Sequence, residues 1–250
     1  MTEPPSAVEA AATPALGPWR EVRSGVYVAV AEPDSVNLGL IVGSQWSLLV
    51  DTGSSPAQGR TVRASLAAVT DRPLTAVVVT HWHYDHAFGL GAFADVPRIG
   101  HESLHFRLSS AEAAAEGQRL GVDLQELGQP NVEIAVATAV DLGDRRVEIA
   151  HLGRGHTDGD LVVVVPDADV LFAGDLLESA GPPSFGPDSV PDEWPATLDA
   201  VIGLMTSGTL AVPGHGEPVD RNFVFEQRGR IAAEAARQHE QPPNRGHPLV

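Results

Sequence analysis

The chain has 250 residues, of which 43% are hydrophobic and 20% are charged, proportions that are ordinary for a soluble globular protein. Its formal net charge of −17 at pH 7 argues against a nucleic-acid-binding surface, which requires a basic face, and against binding to anionic membranes. Cysteine and lysine are both absent, which excludes disulfides, thiolate metal ligands, a cysteine nucleophile and a Schiff-base lysine.

The two ends of the chain differ in composition from the rest. Residues 1–18 are rich in Ala and Pro, and they lack the basic start and the continuous apolar stretch of a secretory signal. No segment of the sequence is long and apolar enough to suggest a membrane span. We therefore expect a cytoplasmic protein with a flexible tail at 1–18, a single domain at 19–240 and a flexible tail at 241–250.

The first half of the domain is predicted to begin with strands and then to alternate strands with helices. Apolar residues alternate from Gly25 onward, and a turn at 32–35 separates the first strand from the next. The strands predicted in this half cover residues 26–30, 36–42, 46–50 and 76–79. Helical spacing of apolar residues predicts a helix at 56–70 and one or two helices at 101–128.

The second half is predicted to contain further strands and two helices. Its strands are expected at 135–142, 146–151, 161–165, 170–173 and 210–212. A proline-rich loop covers 181–195, and helices are expected at 197–205 and 222–238. No linker of distinct composition divides the chain, so we expect one domain.

The segment 80–86 reads T-H-W-H-Y-D-H and directly follows the apolar strand predicted at 76–79. Neutral imidazole and carboxylate are the ligands that zinc and similar divalent metals prefer. His81 and His83 are two residues apart, so their rings project to the same side of an extended segment, whereas Asp85 and His86 diverge. This cluster could serve two neighbouring metal ions; the competing interpretation is a polar loop that is merely rich in His.

Three other candidate ligands lie at the ends of predicted strands, in tight turns. They are His156 in G-H-T-D-G-D, Asp175 in F-A-G-D and His215 in V-P-G-H-G. Each alone has an ordinary interpretation, because a turn His is usually a surface or capping residue and an Asp after Gly can cap a helix. Together with the segment 80–86, they indicate side chains that point into one common cleft.

These motifs, together with the D-T-G that begins at Asp51, occur in an order that resembles the metallo-β-lactamase superfamily. The resemblance extends from about Gly25 to Arg237. It implies an α/β fold of the α+β kind, a four-layer αββα sandwich in which two β-sheets pack together with helices outside. A metal cleft would lie along one edge of the sheets.

The resemblance also implies two adjacent metal sites that share one bridging ligand. The first site would be formed by His81, His83 and His156. The second site would be formed by Asp85, His86 and His215. Asp175 would be the ligand that bridges the two sites. Asp51 would lie beside the site and orient the ligands or their loop.

The ligand set predicts a hydrolase. Two zinc ions about 3.5 Å apart would share a bridging water and lower its pKa enough to give a bridging hydroxide, which attacks a carbonyl or phosphoryl centre. Asp85 would accept or relay the proton as a catalytic residue. We expect a locally positive metal centre that acts on a small-molecule substrate, namely an ester, lactone, thioester or amide.

Three alternatives remain open at this stage. One is a persulfide-dioxygenase-like enzyme with the same fold, in which two His and one Asp hold one iron ion. Another is a metallo-β-lactamase proper, which the absence of Cys and the presence of Asp175 disfavour. The third is a metal-binding protein without catalytic activity.

Aromatic residues and the proline-rich loop suggest where the substrate would bind. Trp82, Tyr84, Glu178 and Phe185 are candidate pocket residues, although ordinary packing of the aromatic rings is an equal alternative. The remaining histidines have no motif partner and are expected to be structural or surface residues. They are His101, His105, His151, His239 and His247.

Overall fold

The computed structural model describes residues 15–240, which form thirteen strands and six α-helices. The strands are β1 (Ala15–Leu16), β2 (Arg20–Arg23), β3 (Val26–Glu32), β4 (Val36–Val42), β5 (Ser47–Val50), β6 (Leu74–Val78), β7 (Arg98–His101), β8 (Val132–Ile134), β9 (Ala137–Asp141), β10 (Arg146–His151), β11 (Leu161–Val165), β12 (Val170–Glu178) and β13 (Leu210–His215). The helices are α1 (Pro56–Ser65), α2 (Tyr84–Ala87), α3 (Leu104–Leu108), α4 (Ala111–Leu120), α5 (Trp194–Leu204) and α6 (Arg221–Glu240). None of these helices combines the length and the apolarity needed to cross a membrane.

The strands pair in the order β8-β7-β6-β5-β4-β13-β12-β11-β10-β9, and β3, which pairs with β1 and β2, adds to β4. The connection between the two halves of this sheet is narrow, because β4 and β13 share only the pair Val36 and His215. Because so little pairing joins them, the two halves can pack face to face, with a shared apolar core between them. The parallel pairs β5–β6 and β12–β13 bring the carboxyl ends of their strands to the edge where the histidine motifs lie.

Side-chain alternation along the strands produces the layers. In β5 and β6, Leu48, Val50 and Val78 face a central core, whereas Leu49 and Val77 face an outer one. A strand that is buried on both faces requires a layer on each side. The central core joins the two halves of the sheet, and it also takes in residues of β10, β11 and β12.

Helices cover the two outer faces. Val62 of α1 and Ala113 of α4 pack on the first half, and Leu198 of α5 and Ile231 of α6 pack on the second. Helix α1 begins where Ser55 accepts a hydrogen bond from the backbone N–H of Gln58. The result is the αββα sandwich that the sequence predicted.

The chain joins the sheet earlier than expected. Strand β1 lies inside the predicted tail at 1–18, and Ala15 and Leu16 pair with Glu32 and Ala31 of β3. Ala15 and Leu16 therefore belong to the sheet and not to a tail. Residues 1–14 and the tail predicted at 241–250 lie outside the described residues.

Other boundaries move by a few residues. Strand β12 continues beyond the predicted end at 173 to Glu178, and α5 begins at Trp194, inside the predicted loop. The region 101–128 contains α3, α4 and a short 3-10 turn at Leu124–Glu126. The strand predicted at 135–142 corresponds to β9, and the unpredicted β8 precedes it at the opposite end of the strand order.

Candidate metal centre and cleft

Strand ends position the first group of ligands. His81 and His83 follow β6, His156 lies in the turn before β11, and Asp175 lies within β12. Leu161 at the start of β11 donates its N–H to the carbonyl oxygen of Thr80, at 2.8 Å, and so joins the two halves of the sandwich next to the site. Residues that are far apart in the chain are thereby brought to one point.

The first group consists of three imidazoles and one carboxylate, whose ligand atoms all lie within 4.8 Å of one another. Nδ1 of His83 lies 3.1 Å from Nε2 of His81 and 2.8 Å from Nε2 of His156. Oδ2 of Asp175 lies 3.3 Å from Nε2 of His156 and 3.8 Å from Nε2 of His81. Three His and one carboxylate are a common donor set for a divalent metal.

The second group consists of Asp85, His86 and His215, and its atoms meet the same distance limit. Helix α2 begins directly after His83 and turns Asp85 and His86 toward the end of β13. Oδ2 of Asp85 lies 3.3 Å from Nε2 of His215 and 3.7 Å from Nε2 of His86. The second group therefore lies beside the first.

Asp175 contacts both groups through different oxygens. Oδ2 faces the first group, whereas Oδ1 lies 3.2 Å from Nε2 of His86 and 3.5 Å from Nε2 of His215. Both Nε2 of His86 and Oδ1 of Asp175 are buried and have no hydrogen-bond partner among residues 15–240. A buried polar atom without a partner costs about 1–3 kcal/mol, and a metal ion between the groups would satisfy both atoms.

Burial and charge give the two groups different protonation states. Burial lowers the pKa of His81 well below its usual value and lowers the pKa of His156 to about 4, so both rings are neutral, as metal ligands must be. Burial also opposes a charge on His86 and His215. The carboxylates of Asp175 and Asp85 outweigh that effect, holding the pKa of His86 well above its usual value and raising the pKa of His215 to about 10.

Each candidate histidine ligand uses its other ring nitrogen in a hydrogen bond within the protein. Each ring takes the tautomer whose N–H points at an acceptor. The acceptors are Thr80 Oγ1 for His81, Asp188 Oδ2 for His83, Asp51 Oδ2 for His86, the Ser184 carbonyl for His156 and the Asp34 carbonyl for His215. Such contacts fix the tautomer and the orientation of a metal ligand. The rings are therefore held in place by the protein itself.

Asp51 lies beside the second group of candidate ligands. Its carboxylate accepts hydrogen bonds from the N–H of Thr80 at 2.7 Å, from the hydroxyl of Thr80 at 2.9 Å and from Nδ1 of His86 at 2.9 Å. Its φ of 61° is uncommon for a residue other than glycine, and the three bonds hold it there. Asp51 thus connects the strand end at Thr80 to the second group.

Asp160 orders the turn that carries His156. The carboxylate accepts hydrogen bonds from the N–H of Thr157 at 2.9 Å and from the Thr157 hydroxyl at 2.6 Å, and it lies fully in the interior. Burial raises the pKa of Asp160 to about 7. Sequence reasoning missed this role, although the D-G-D after the His156 motif was the available signal.

Asp188 is a second residue that sequence reasoning missed. It lies in the proline-rich loop, and its Oδ2 accepts hydrogen bonds from Nε1 of Trp82 at 2.7 Å and from Nε2 of His83 at 3.2 Å. Burial opposes its charge, but the contacts with His83 and Trp82 lower the pKa of Asp188 to about 2. The loop is thereby fastened to the first group through an ionised carboxylate.

Replacement of Asp188 by Ala is expected to weaken zinc binding at the first group about 10- to 100-fold, because His83 loses the acceptor that orients its ring. Titration against a competing zinc chelator measures this change. Asp192→Ala is the matched control, since Asp192 lies in the same loop but bonds only to the exposed His239. Equal zinc affinity in Asp188→Ala and the wild type would show that Asp188 does not orient His83.

The two groups open into a cleft of about 950 Å³. Trp82, Tyr84 and Glu178 line it, as predicted candidates for the substrate pocket. The Tyr84 hydroxyl donates to the carboxylate of Asp34 at 2.7 Å. Phe185 was predicted to line the pocket as well, but its ring packs against Trp194 with the centroids 5.3 Å apart, because the core under α5 offers it apolar contacts.

None of the histidines without a motif partner that the structure describes belongs to either ligand group. His101 is buried and packs against His151 with a ring-centroid distance of 4.3 Å, His105 is exposed, and His239 contacts Asp192. His247 lies outside the described residues.

A family model described as the metallo-β-lactamase superfamily matches residues 31–215, a span that includes every candidate ligand. The chain belongs to this superfamily. A solved structure entitled metallo-β-lactamase from Pontibacter korlensis superposes with a TM-score of 0.70 and 21% identity, covering 86% of this chain and 98% of that one. At that identity the superposition shows the shared fold.

Curated relatives in the superfamily are named for different hydrolytic reactions. The metallo-β-lactamase type 2 of Bacillus cereus is 25% identical over 210 residues, which cover 83% of this chain and 76% of that protein. The acyl-coenzyme A thioesterase MBLAC2 of Bos taurus is 27% identical over 231 residues, which cover 81% of each protein. The predicted assignment to a superfamily of metallo-hydrolases is therefore confirmed.

Proposed function

We propose that this protein is a dinuclear zinc hydrolase that cleaves a small ester, lactone, thioester or amide. The observation that carries the proposal is the position of Asp175, whose two oxygens face two adjacent groups of ligands in one cleft. A single metal ion would need only one of these groups. The relatives named as a β-lactamase and as a thioesterase support an acyl compound as the substrate.

The donor atoms suit zinc. The first group offers three imidazole nitrogens, the second offers two imidazole nitrogens and the carboxylate of Asp85, and Asp175 contributes to each. Neutral imidazole and carboxylate are typical zinc ligands, and the two buried atoms without a hydrogen bond lie between the groups. His81, His83, His156 and Asp175 would hold the first ion, and the second group together with Asp175 would hold the other.

Two divalent ions held there would polarise a carbonyl oxygen and lower the pKa of a water molecule. The chain supplies the proton acceptor: the carboxylate of Asp85 lines the cleft and lies 3.3 Å from Nε2 of His215. We assign to Asp85 the removal of a proton from the attacking water. Trp82 and the loop near Asp188 form the wall of the cleft next to the first group.

A second candidate is β-lactam hydrolysis, which the Bacillus cereus relative favours. The chemistry at the metal ions would be the same, because a β-lactam is a strained amide. The persulfide-dioxygenase-like alternative differs in its metal, since it would use one iron ion held by two His and one Asp. Metal identity therefore separates the hydrolases from the oxygenase, and a substrate panel separates the hydrolases from each other.

Elemental analysis of protein purified without chelator is expected to give about two zinc ions per chain. Dialysis against a chelator should abolish turnover of esters and lactones, and zinc should restore it, because the activated water depends on the ions. One iron ion per chain, together with oxygen consumption on a persulfide, would overturn the proposal. Turnover of β-lactams with no hydrolysis of esters or lactones would favour the second candidate.

A further inference from the structure

The cleft has an acidic lining in addition to the candidate metal ligands. Five further carboxylates line it: Asp34, Glu112, Glu116, Glu178 and Asp188. Among the described residues, the only cationic side chain of the lining apart from the histidines is Arg107. These five carboxylates come from several separate segments of the chain, so the acidic lining exists only in the folded protein.

Arg107 is already engaged by another carboxylate. Its Nε and Nη2 atoms donate to the two oxygens of Asp158, at 3.2 and 2.6 Å. Such a bidentate pair is among the stronger interactions of Arg, so a substrate anion would have to compete with Asp158 for it. Arg107 therefore offers little charge to a ligand.

Helix α4 carries two of the lining carboxylates. Glu116 pairs with Arg119 at 2.7 Å, and the guanidinium of Arg119 lies 5.0 Å from the ring centroid of Tyr84, outside the cleft lining. Glu112 lies one turn earlier and is exposed. Interactions with its own backbone and Ser110, and the nearby charge of Arg107, lower its pKa, and Glu112 forms no ion pair among the described residues.

Glu178 lies on the side of β12, close to the second group of ligands. It is partly buried, and its carboxylate accepts a hydrogen bond from the N–H of Ala180 at 2.8 Å but pairs with no Arg among the described residues. The carboxylate of Asp34 accepts from the neutral hydroxyl of Tyr84. The lining thus retains negative charge on several sides.

Charges that line one cleft act together, because a narrow cavity with low-dielectric walls focuses their field. A cleft of about 950 Å³ is comparable in width to the Debye length of about 10 Å at 0.1 M salt, so screening between its walls is incomplete. Two divalent ions would make the base of the cleft positive and suited to a carbonyl oxygen. The lining beyond that base remains negative and suited to a cation.

We propose that the physiological substrate carries a positively charged ammonium group attached to the acyl compound that is hydrolysed, and that the cleft discriminates against anionic substrates. This inference rests on the proposed hydrolase function and specifies its substrate class. The carbonyl would lie at the two ligand groups and the ammonium group in the acidic part of the cleft, to which Glu112 and Glu178 contribute charge from different elements. Ala115, Pro182 and Pro187 provide apolar surface for the chain between them.

Three p-nitrophenyl esters of equal acyl length test this selectivity on the zinc-loaded enzyme. Their acyl chains end in a trimethylammonium group, in its neutral tert-butyl isostere or in a carboxylate, and the leaving group is the same. We expect kcat/KM to fall in that order, with at least about a tenfold difference between the cationic and the anionic ester at low salt. The difference should narrow as salt is added, since the lining charges are screened.

Glu112→Gln and Glu178→Gln are each expected to reduce the ratio of cationic to anionic kcat/KM about threefold, because one charge of the lining is removed. Glu133→Gln is the matched control, since Glu133 is exposed and lies outside the cleft lining. A cationic ester that is turned over no faster than its neutral isostere would overturn the inference and leave the hydrolase intact. No turnover of any of the three esters by protein with two bound zinc ions would overturn the ester-hydrolase proposal and this inference with it.

Discussion

Replacement of Asp175 by Ala is expected to reduce kcat/KM by a factor on the order of 10³ or more, the largest effect of any single ligand, because both metal positions lose a donor at once. Each of its oxygens faces a different group of ligands. The zinc content should fall below two ions per chain. The fold should persist, because the apolar cores of the sandwich are separate from the ligands.

The measurements for Asp175→Ala are zinc content, ester turnover and circular dichroism on the same sample. Asp71→Ala provides the matched control, since the Asp71 side chain is 90% exposed and its one ion pair among the described residues is with the neighbouring Arg72. It should retain the zinc content and turnover of the wild type. If Asp175→Ala kept two zinc ions and full turnover, Asp175 would not bridge the two positions.

The candidate ligands were predictable because their signal is local. Four of them lie within six residues after a buried strand, and the other three lie in glycine-containing turns at strand ends. Such turns require particular residues, and strand ends meet at one edge of a sheet, so the pattern carries information about position. The layers were predictable for a related reason, because continuous apolar strands such as 76–79 need cover on both faces.

The residues that sequence reasoning missed depend on tertiary packing. Asp188 has no motif, and its role arises only because the proline-rich loop folds back onto Trp82 and His83. Likewise, Glu112 and Glu116 look like the solvated face of an ordinary helix until α4 is placed beside the cleft. No local pattern distinguishes such carboxylates from other surface charges.

Two further differences from the sequence predictions, the unpredicted strand β2 and the position of Phe185, also arise from tertiary contacts. Strand β2, Arg20–Arg23, has the sequence R-E-V-R and only weak apolar alternation, and its pairing with β3 decides its conformation. The ring of Phe185 was expected in the cleft, but an aromatic side chain in a loop packs wherever an apolar surface is within reach, here against Trp194. Contacts made only in the folded chain, strand pairing for β2 and apolar packing for Phe185, override the local signal in both cases.

Gly214 offers a test of the site that changes none of its ligand atoms. A Cβ at this position in β13 would overlap Oδ1 of Asp175 and lie 3.0 Å from its Cγ. Gly214 therefore keeps open the space that this oxygen occupies. Since Oδ1 is the oxygen that faces His86 and His215, an added methyl group must displace it from the second group.

Gly214→Ala is expected to lose zinc at the second position and to lower kcat/KM about 100-fold, because a displacement of about 1 Å at a reacting site can have that effect. Elemental analysis and ester kinetics measure both changes. Gly203→Ala, in α5, is the matched control: its Cβ meets nothing within 4 Å, so it should keep two zinc ions and full turnover. Glycine in a helix is about 0.5–1 kcal/mol less stable than Ala, so this control should also be slightly stabilised.

Two zinc ions and unchanged turnover in Gly214→Ala would mean that Oδ1 of Asp175 is not a ligand of the second ion. Loss of zinc in Gly214→Ala but not in Gly203→Ala would show that zinc binding at the second position depends on where Oδ1 of Asp175 lies. The reason is that Gly214→Ala leaves every imidazole and carboxylate of the site in the chain.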